Sequence, residues 1–265
     1  MSTKQEKSLL HRTCDALETA GQQLAASMRQ VRDPRPTAVG TWSIGDTANH
    51  VSGSGGYFLA VAEGQVAPER LEDVDEGNAK ALVEDPERSP RVLADRLLRN
   101  DTVLIRYARA VPDDPVVEPF AGVRVPLSAL VGIQLGEVLV HGFDIARGAG
   151  LPWRIDPDHA NLAHRAYLPL LPYAVDADKA AHLQVSVDLR IRGMEPHVLV
   201  VENGALRVEP SSGQRVDVHM SVDPVAYLLL VWNRIPAWKP LLRGHMLVWG
   251  RRPWMLRSFQ SAVEQ

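Results

Sequence analysis

A chain of 265 residues, 45% hydrophobic and 23% charged, can bury one large core or two ordinary ones, which excludes disorder as its default. Its formal charge of −3, from 29 Lys+Arg against 32 Asp+Glu, makes no electrostatic case for nucleic acid. The single cysteine, Cys14, excludes a disulfide scaffold and a thiolate zinc finger.

No apolar run reaches the roughly 18–20 residues of a membrane span. Met1 to Leu10 lacks the apolar core of a signal peptide. The expectation is a soluble, cytoplasmic protein in a reducing compartment.

In chain order, Leu10, Cys14, Leu17, Gly21, Leu24, Met28 and Val31 alternate steps of four and three residues, the seam of a bundle helix. Cys14 lies in that seam and reads as a small buried hydrophobe. Pro34 and Pro36 end the helix. Ser43 and Asp46 then make a capping box for a second helix to about Ala62. Gly53, Gly55 and Gly56 inside it each cost about 1 kcal/mol against Ala, so something needs close backbone approach there.

Residues 64–86 read as an acidic loop. Ser89-Pro90 starts a third helix, with Ser89 as cap, and Pro112 to Pro115 stop it. A hairpin-like stretch leads to Pro126, which opens a fourth helix to about Gly148. Four helices of this length predict a four-helix bundle.

The period then changes. Leu183 to Ile191 alternate as a half-buried strand; His197 to Val201 and Ala205 to Glu209 flank an Asn203-Gly204 turn; Val216 to Val222 alternate again. Asp223-Pro224 caps a helix to about Asn233. Met246 to Trp249 and Arg251 to Val263 read as a last strand and helix. The predicted class is α+β: a helical domain with connecting segment over 1–177, and a smaller domain over 178–265.

The fourth helix carries the chemistry. From Ala129 to Ala146 its polar side chains are Gln134, Glu137, His141 and Asp144, spaced 3, 4 and 3. At roughly 100° per residue they share an arc of about 80° on an otherwise apolar helix. A solvent face would be broader and would carry Lys or Arg. Buried carboxylate and imidazole need partners, and Glu137 and His141, at i and i+4, can reach one metal ion. His50 on the second helix is the leading third ligand. Asp46, one turn earlier, could orient its ring, and Asp144 could do the same for His141 or act in chemistry. The alternative is a polar stripe facing solvent or the second domain, since three of the nine histidines have an acid four residues earlier.

The segments Trp42-Ser43-Ile44-Gly45-Asp46-Thr47-Ala48-Asn49-His50-Val51 and Gly136-Glu137-Val138-Leu139-Val140-His141-Gly142-Phe143-Asp144 resemble the second- and fourth-helix motifs of the mycothiol-dependent maleylpyruvate isomerase family. The resemblance implies a DinB-like metal-binding bundle followed by a sterol-carrier-type domain. It implies His50, Glu137 and His141 as ligands of Zn2+, or of another divalent ion such as Ni2+, with an open position, and a family Asp at Asp144. It also implies mycothiol, an actinobacterial thiol, as cosubstrate. In that chemistry thiolate adds to a maleyl-type double bond, the adduct rotates, and elimination leaves the trans isomer; thiol transfer to a small electrophile is the other outcome. A C-terminal arginine would hold the carboxylates of a dicarboxylate substrate, with Arg234 and Arg215 as candidates.

Two further readings compete. Trp232, Trp238, Trp249 and Trp254, with Tyr227 and the Leu228 to Val231 run, could line a tunnel for an apolar ligand, making a lipid or sterol carrier. A metal-binding regulatory protein would keep the fold without the reaction.

Overall fold

The computed structural model describes residues 8–263, so most of the Met1 to Leu10 stretch tested for a leader lies outside the described residues. Helix α1 (Leu9–Met28) buries Leu10, Cys14, Leu17, Gly21, Leu24 and Met28 along its seam. A two-stranded ribbon, β1 (Thr37–Val39) and β2 (Trp42–Ser43), leads into α2 (Ile44–Ala62). The expected capping box is made. Asp46 N–H donates to Ser43 Oγ at 3.1 Å, and Ser43 N–H donates to Asp46 Oδ2 at 3.0 Å.

The segment read as a loop holds a 3₁₀ turn (Leu71–Asp73) and α3 (Val74–Glu84). Only Leu82 of α3 is buried, so this helix has no apolar stripe for a sequence pattern to reveal. Asp75 and Glu76 in its first turn favour it through the helix dipole.

Helix α4 (Pro90–Ala110) begins at Pro90, but Ser89 makes no side-chain cap. The backbone N–H of Ser89 donates instead to Glu87 Oε1 at 2.7 Å. The hairpin β3 (Val116–Phe120) and β4 (Val123–Pro126) delivers the chain to α5 (Leu127–Ala149), which Gly150 ends with φ at +67°. α1 and α2 each pack against both α4 and α5, which makes the four-helix bundle. α5 has the length and apolarity of a membrane-crossing helix, yet 89% of its apolar window is buried in the bundle.

The glycines of α2 answer for two close approaches. A Cβ on Gly55 would stand 2.6 Å from Asp101 Oδ1, and one on Gly56 would stand 3.1 Å from Asn100 Nδ2; Gly53 has nothing within 4 Å.

The chain divides into two compact units between Ile155 and Asp156, not near 178. Residues 151–177, read as a connector, include α6 (Pro157–Tyr167) and a 3₁₀ segment (Leu168–Tyr173) that belong to the second unit. Asn161 Nδ2 donates to the Arg192 carbonyl at 3.1 Å, and the His164 ring lies 2.8 Å from the Pro224 carbonyl. These long-range bonds hold α6 in that unit, and local sequence carries no trace of them.

After α7 (Ala177–Ala180) come β5 (Val185–Ile191), β6 (His197–Glu202), β7 (Ala205–Pro210) and β8 (Val218–Val222). Then follow α8 (Pro224–Val231), α9 (Trp238–Leu242), β9 (Met246–Gly250) and α10 (Met255–Val263). The sheet order is β7-β6-β5-β8-β9, with β5 and β8 parallel and every other pair antiparallel. Asn203 and Gly204, both at positive φ, make the expected tight turn. Val187, Leu189, Leu199, Val218 and Met220 on one sheet face pack with Leu230 of α8 and Phe259 of α10. The class is α+β.

Candidate metal centre

Two helices build the site. α5 is apolar almost all round, so its narrow polar stripe is carried into the bundle, where water cannot satisfy it. Glu137 and His141 sit one turn apart on that stripe. α2 brings His50 to the same place: His50 Nε2 lies 3.0 Å and His141 Nε2 lies 3.2 Å from the same oxygen, Glu137 Oε2. All three donor atoms fall within 4.8 Å of one another, a group that could hold a metal ion.

The surroundings set the electrostatics. Burial alone would push the Glu137 carboxyl up, but hydrogen bonds from His141 and His50 outweigh it and hold the group well below the usual carboxylate range. Burial opposes charge on His141 too, yet hydrogen bonds to Asp144 and Glu137 raise its pKa to about 9. The His141 Nδ1 lies 3.2 Å from Asp144 Oδ2, so Asp144 fixes the ring and leaves Nε2 facing Glu137. Asp144 is fully buried, whereas the Glu137 and His50 side chains are 13% and 14% exposed. The cluster is therefore reachable from solvent on the Glu137–His50 side and closed behind His141.

One tryptophan covers both histidines: the Trp42 ring centroid stands 5.1 Å from that of His50 and 6.4 Å from that of His141. Trp153 packs against Gly142 of α5 and donates its indole N–H to the Leu139 carbonyl at 3.1 Å. A Cβ on Gly142 would come within 2.1 Å of the Trp153 ring, so only glycine fits beside His141. Trp42 belongs to the motif around His50, where sequence alone gives it no role. Trp153 carried no local signal.

Asp46 does not orient His50. Its Oδ2 accepts from the Ser43 hydroxyl at 2.6 Å, and its Oδ1 accepts from Arg88 Nε at 2.5 Å. An acid at the third position of a helix is captured by the cap, and Arg88 takes what is left. Arg88 and Arg96 also bind the 82–88 segment to α2. Arg96 pairs with Asp85 and donates to Ser52 Oγ at 2.8 Å, and Asn49 Nδ2 donates to the Glu87 carbonyl at 2.9 Å. These bonds flank His50 on its own helix and steady it.

Gln134, the first member of the stripe, is not at the cluster. It donates to Asp101 Oδ1 at 2.9 Å. Asp101 carries no opposite charge beside it, and burial pushes its carboxyl up to about 7. Cys14 is buried in the seam as expected, its thiol pushed up to about 11, mainly by burial.

Arg234 belongs to the second unit, where its guanidinium donates to the Trp232 carbonyl and lies 5.8 Å from the Trp232 ring centroid. Arg215 is exposed. The tunnel lining expected of the tryptophans is not formed as drawn: Trp238, Trp249 and Trp254 are exposed, and only Trp232 is half-buried.

Residues 15–146 match the family model described as the mycothiol maleylpyruvate isomerase N-terminal domain. Among curated proteins no sequence matches. Among solved structures, a histidine-to-alanine variant of the mycothiol-dependent maleylpyruvate isomerase aligns over 86% of this chain and 90% of its own, at 13% identity and TM-score 0.51. That likeness shows a shared fold. The sec-alkylsulfatase Pisa1 from Pseudomonas sp. aligns over 73% of this chain at 16% identity and TM-score 0.37, and this chain spans 29% of that enzyme's length. Sterol carrier protein 2 from Yarrowia lipolytica aligns over 37% of this chain and 91% of its own, at 15% identity and TM-score 0.26.

Proposed function

Because residues 15–146 of this chain belong to the mycothiol maleylpyruvate isomerase N-terminal domain family, we propose that it is a cytoplasmic, metal-dependent enzyme that activates mycothiol. The thiol serves cis–trans isomerisation of a maleyl-type dicarboxylate or transfer to a small electrophile. The observation that carries this reading is the convergence of His50 Nε2, Glu137 Oε2 and His141 Nε2 within 4.8 Å. Two imidazoles and a carboxylate, with one side open to solvent, suit Zn2+ or a similar divalent ion such as Ni2+.

When bound there, such an ion supplies the Lewis acidity that ionises a thiol at neutral pH. The chain's own residues do the rest. Glu137 brings the negative charge that draws a cation to the site. Asp144 accepts the Nδ1 proton of His141 and so keeps Nε2 free to ligate. The buried wall behind His141 keeps water from that side, and Trp42 covers both imidazoles. Arg234 is the residue we assign to the substrate carboxylates, which a guanidinium can bind bidentately.

Metal analysis of purified variants tests the ligand set. His50→Ala and His141→Ala each lose the metal; Asp144→Asn keeps it and loses most thiol-dependent turnover of maleylpyruvate. Arg234→Gln keeps the metal and raises KM for the dicarboxylate. Full occupancy in both histidine variants overturns the assignment. A metal-loaded protein that consumes neither maleylpyruvate nor a model electrophile with thiol overturns the enzymatic reading.

A further inference from the structure

The whole-chain charge of −3 conceals a sharp segregation. Residues 224–263 contain six Lys and Arg and no Asp or Glu, whereas the rest of the chain has 23 against 32. The same stretch holds every exposed leucine and tryptophan among the large exposed hydrophobics of the described residues: Trp238, Leu241, Leu242, Leu247, Trp249 and Trp254. Elsewhere the exposed large hydrophobics are valines and one tyrosine. Leu242 is 80% and Trp254 67% exposed, far beyond what a scattered surface residue needs.

These side chains follow one another along α9, the turn after it, β9 and the turn before α10. His245 N–H donates to the Pro240 carbonyl at 2.8 Å and ties α9 to the start of β9. β9 is an edge strand, paired only with β8, and Leu247 and Trp249 point away from the core face that takes Met246 and Val248. Arg243 and Arg257 are exposed and Lys239 half-buried among them. Arg251 and Arg252 lie 3.1 Å and 3.8 Å from Asp217, so one carboxylate of β8's approach faces two guanidiniums.

We propose that this strip docks on the surface of an anionic lipid bilayer, independently of the reaction assigned above. Tryptophan and leucine enter the boundary between headgroups and acyl chains, while Lys and Arg stay at the level of the phosphates. The charge decides between occupants. A second copy seated on the same strip would bring Lys239, Arg243, Arg251, Arg252 and Arg257 against the same five cations, with no carboxylate between Pro224 and Val263 to answer them, and a symmetric contact must do that. Nucleic acid would satisfy the charge and could stack on the tryptophans, but it would leave Leu241, Leu242 and Leu247 in water. An anionic bilayer satisfies both the charge and the leucines.

The test uses the full chain, sedimented with vesicles of phosphatidylcholine alone or mixed in equal parts with phosphatidylglycerol. The protein pellets with the mixed vesicles, its tryptophan emission shifts to the blue, and added salt releases it. Leu242→Ser and Arg243→Glu each weaken that binding about tenfold and leave the thermal melt unchanged, since both residues are exposed. No binding to mixed vesicles at low salt, equal binding to both compositions, or unchanged binding in both variants overturns the proposal. So does a concentration-dependent dimer that Leu242→Glu dissolves, or a single-stranded DNA complex formed without vesicle binding. Metal content and thiol-dependent activity are unaffected by these variants, so the two proposals fail separately.

Discussion

Gly142 stands beside His141 because Trp153 leaves no room for a side chain there. Its place in the sequence, inside a long apolar helix, suggests only a loss of about 1 kcal/mol against Ala. The structure reverses that expectation. Gly142→Ala gains helix propensity but drives a methyl to within 2.1 Å of the indole, so Trp153 must move and its bond to the Leu139 carbonyl is lost. Overpacking of this kind costs roughly 1–3 kcal/mol. The variant should melt lower by that amount in denaturant titration and bind metal more weakly, since the helix turn carrying His141 shifts. A melt equal to that of the parent would show that Trp153 is free to leave. Two residues of the cluster were legible in advance: Glu137 and His141 share one arc of an apolar helix with Gln134 and Asp144. What sequence could not supply was the role of Asp46, because one carboxylate can serve a cap or an imidazole, and only the position of Arg88 decides.

Among the elements, α2 depends on its start. Ser43 both caps the helix and donates to Asp46, which in turn receives Arg88. Ser43→Ala removes the side-chain acceptor for the Asp46 N–H and the hydroxyl donor to its carboxylate, and should cost about 1 kcal/mol. Hydrogen exchange should show the loss concentrated in the first turn, with His50, nearly two turns on, retaining its metal. Uniform loosening of the whole bundle would instead mean that the cap is needed for the fold. The strongly periodic helices and strands were readable from apolar spacing. α3, which buries only Leu82, and α6, held by Asn161 and His164, were not. α3 lacks a repeated apolar face, and the buried face of α6 is made of Ala160, Ala163 and Ala166 with Asn161 and His164, residues too small or too polar to stand out in one dimension.

At the scale of the molecule, the bundle contains a carboxyl that folding works against. Asp101 is enclosed between α1, α2 and α5, with Gln134 as its hydrogen-bond partner, and its Oδ2 and the Gln134 Oε1 accept nothing. Its folded pKa, about 7, lies above the ordinary value of 3.8. Between those pH values the folded state holds a proton that the unfolded state has released, so stability falls as pH rises through the window, by roughly 1.4 kcal/mol per pH unit. Above about pH 7 this contribution is flat. Asp101→Asn should therefore abolish that slope, and its melting temperature should exceed the parent's more at pH 8 than at pH 5. Equal shifts at both pH values would mean that Asp101 is ionised in the fold.

The sequence by itself determined the α+β class, the four bundle helices, the strand pattern and the placing of Glu137 and His141 on one helix face. It could do so because each rests on a local period or on a spacing within one turn. Tertiary structure alone decided that His50 reaches Glu137 from another helix and that Trp153 forces a glycine. It also decided that α6 falls after the break at Ile155 and that Trp238 and Trp254 face outward. Those outcomes depend on which surfaces meet after the chain has folded back over many residues, and no window along the sequence spans that distance.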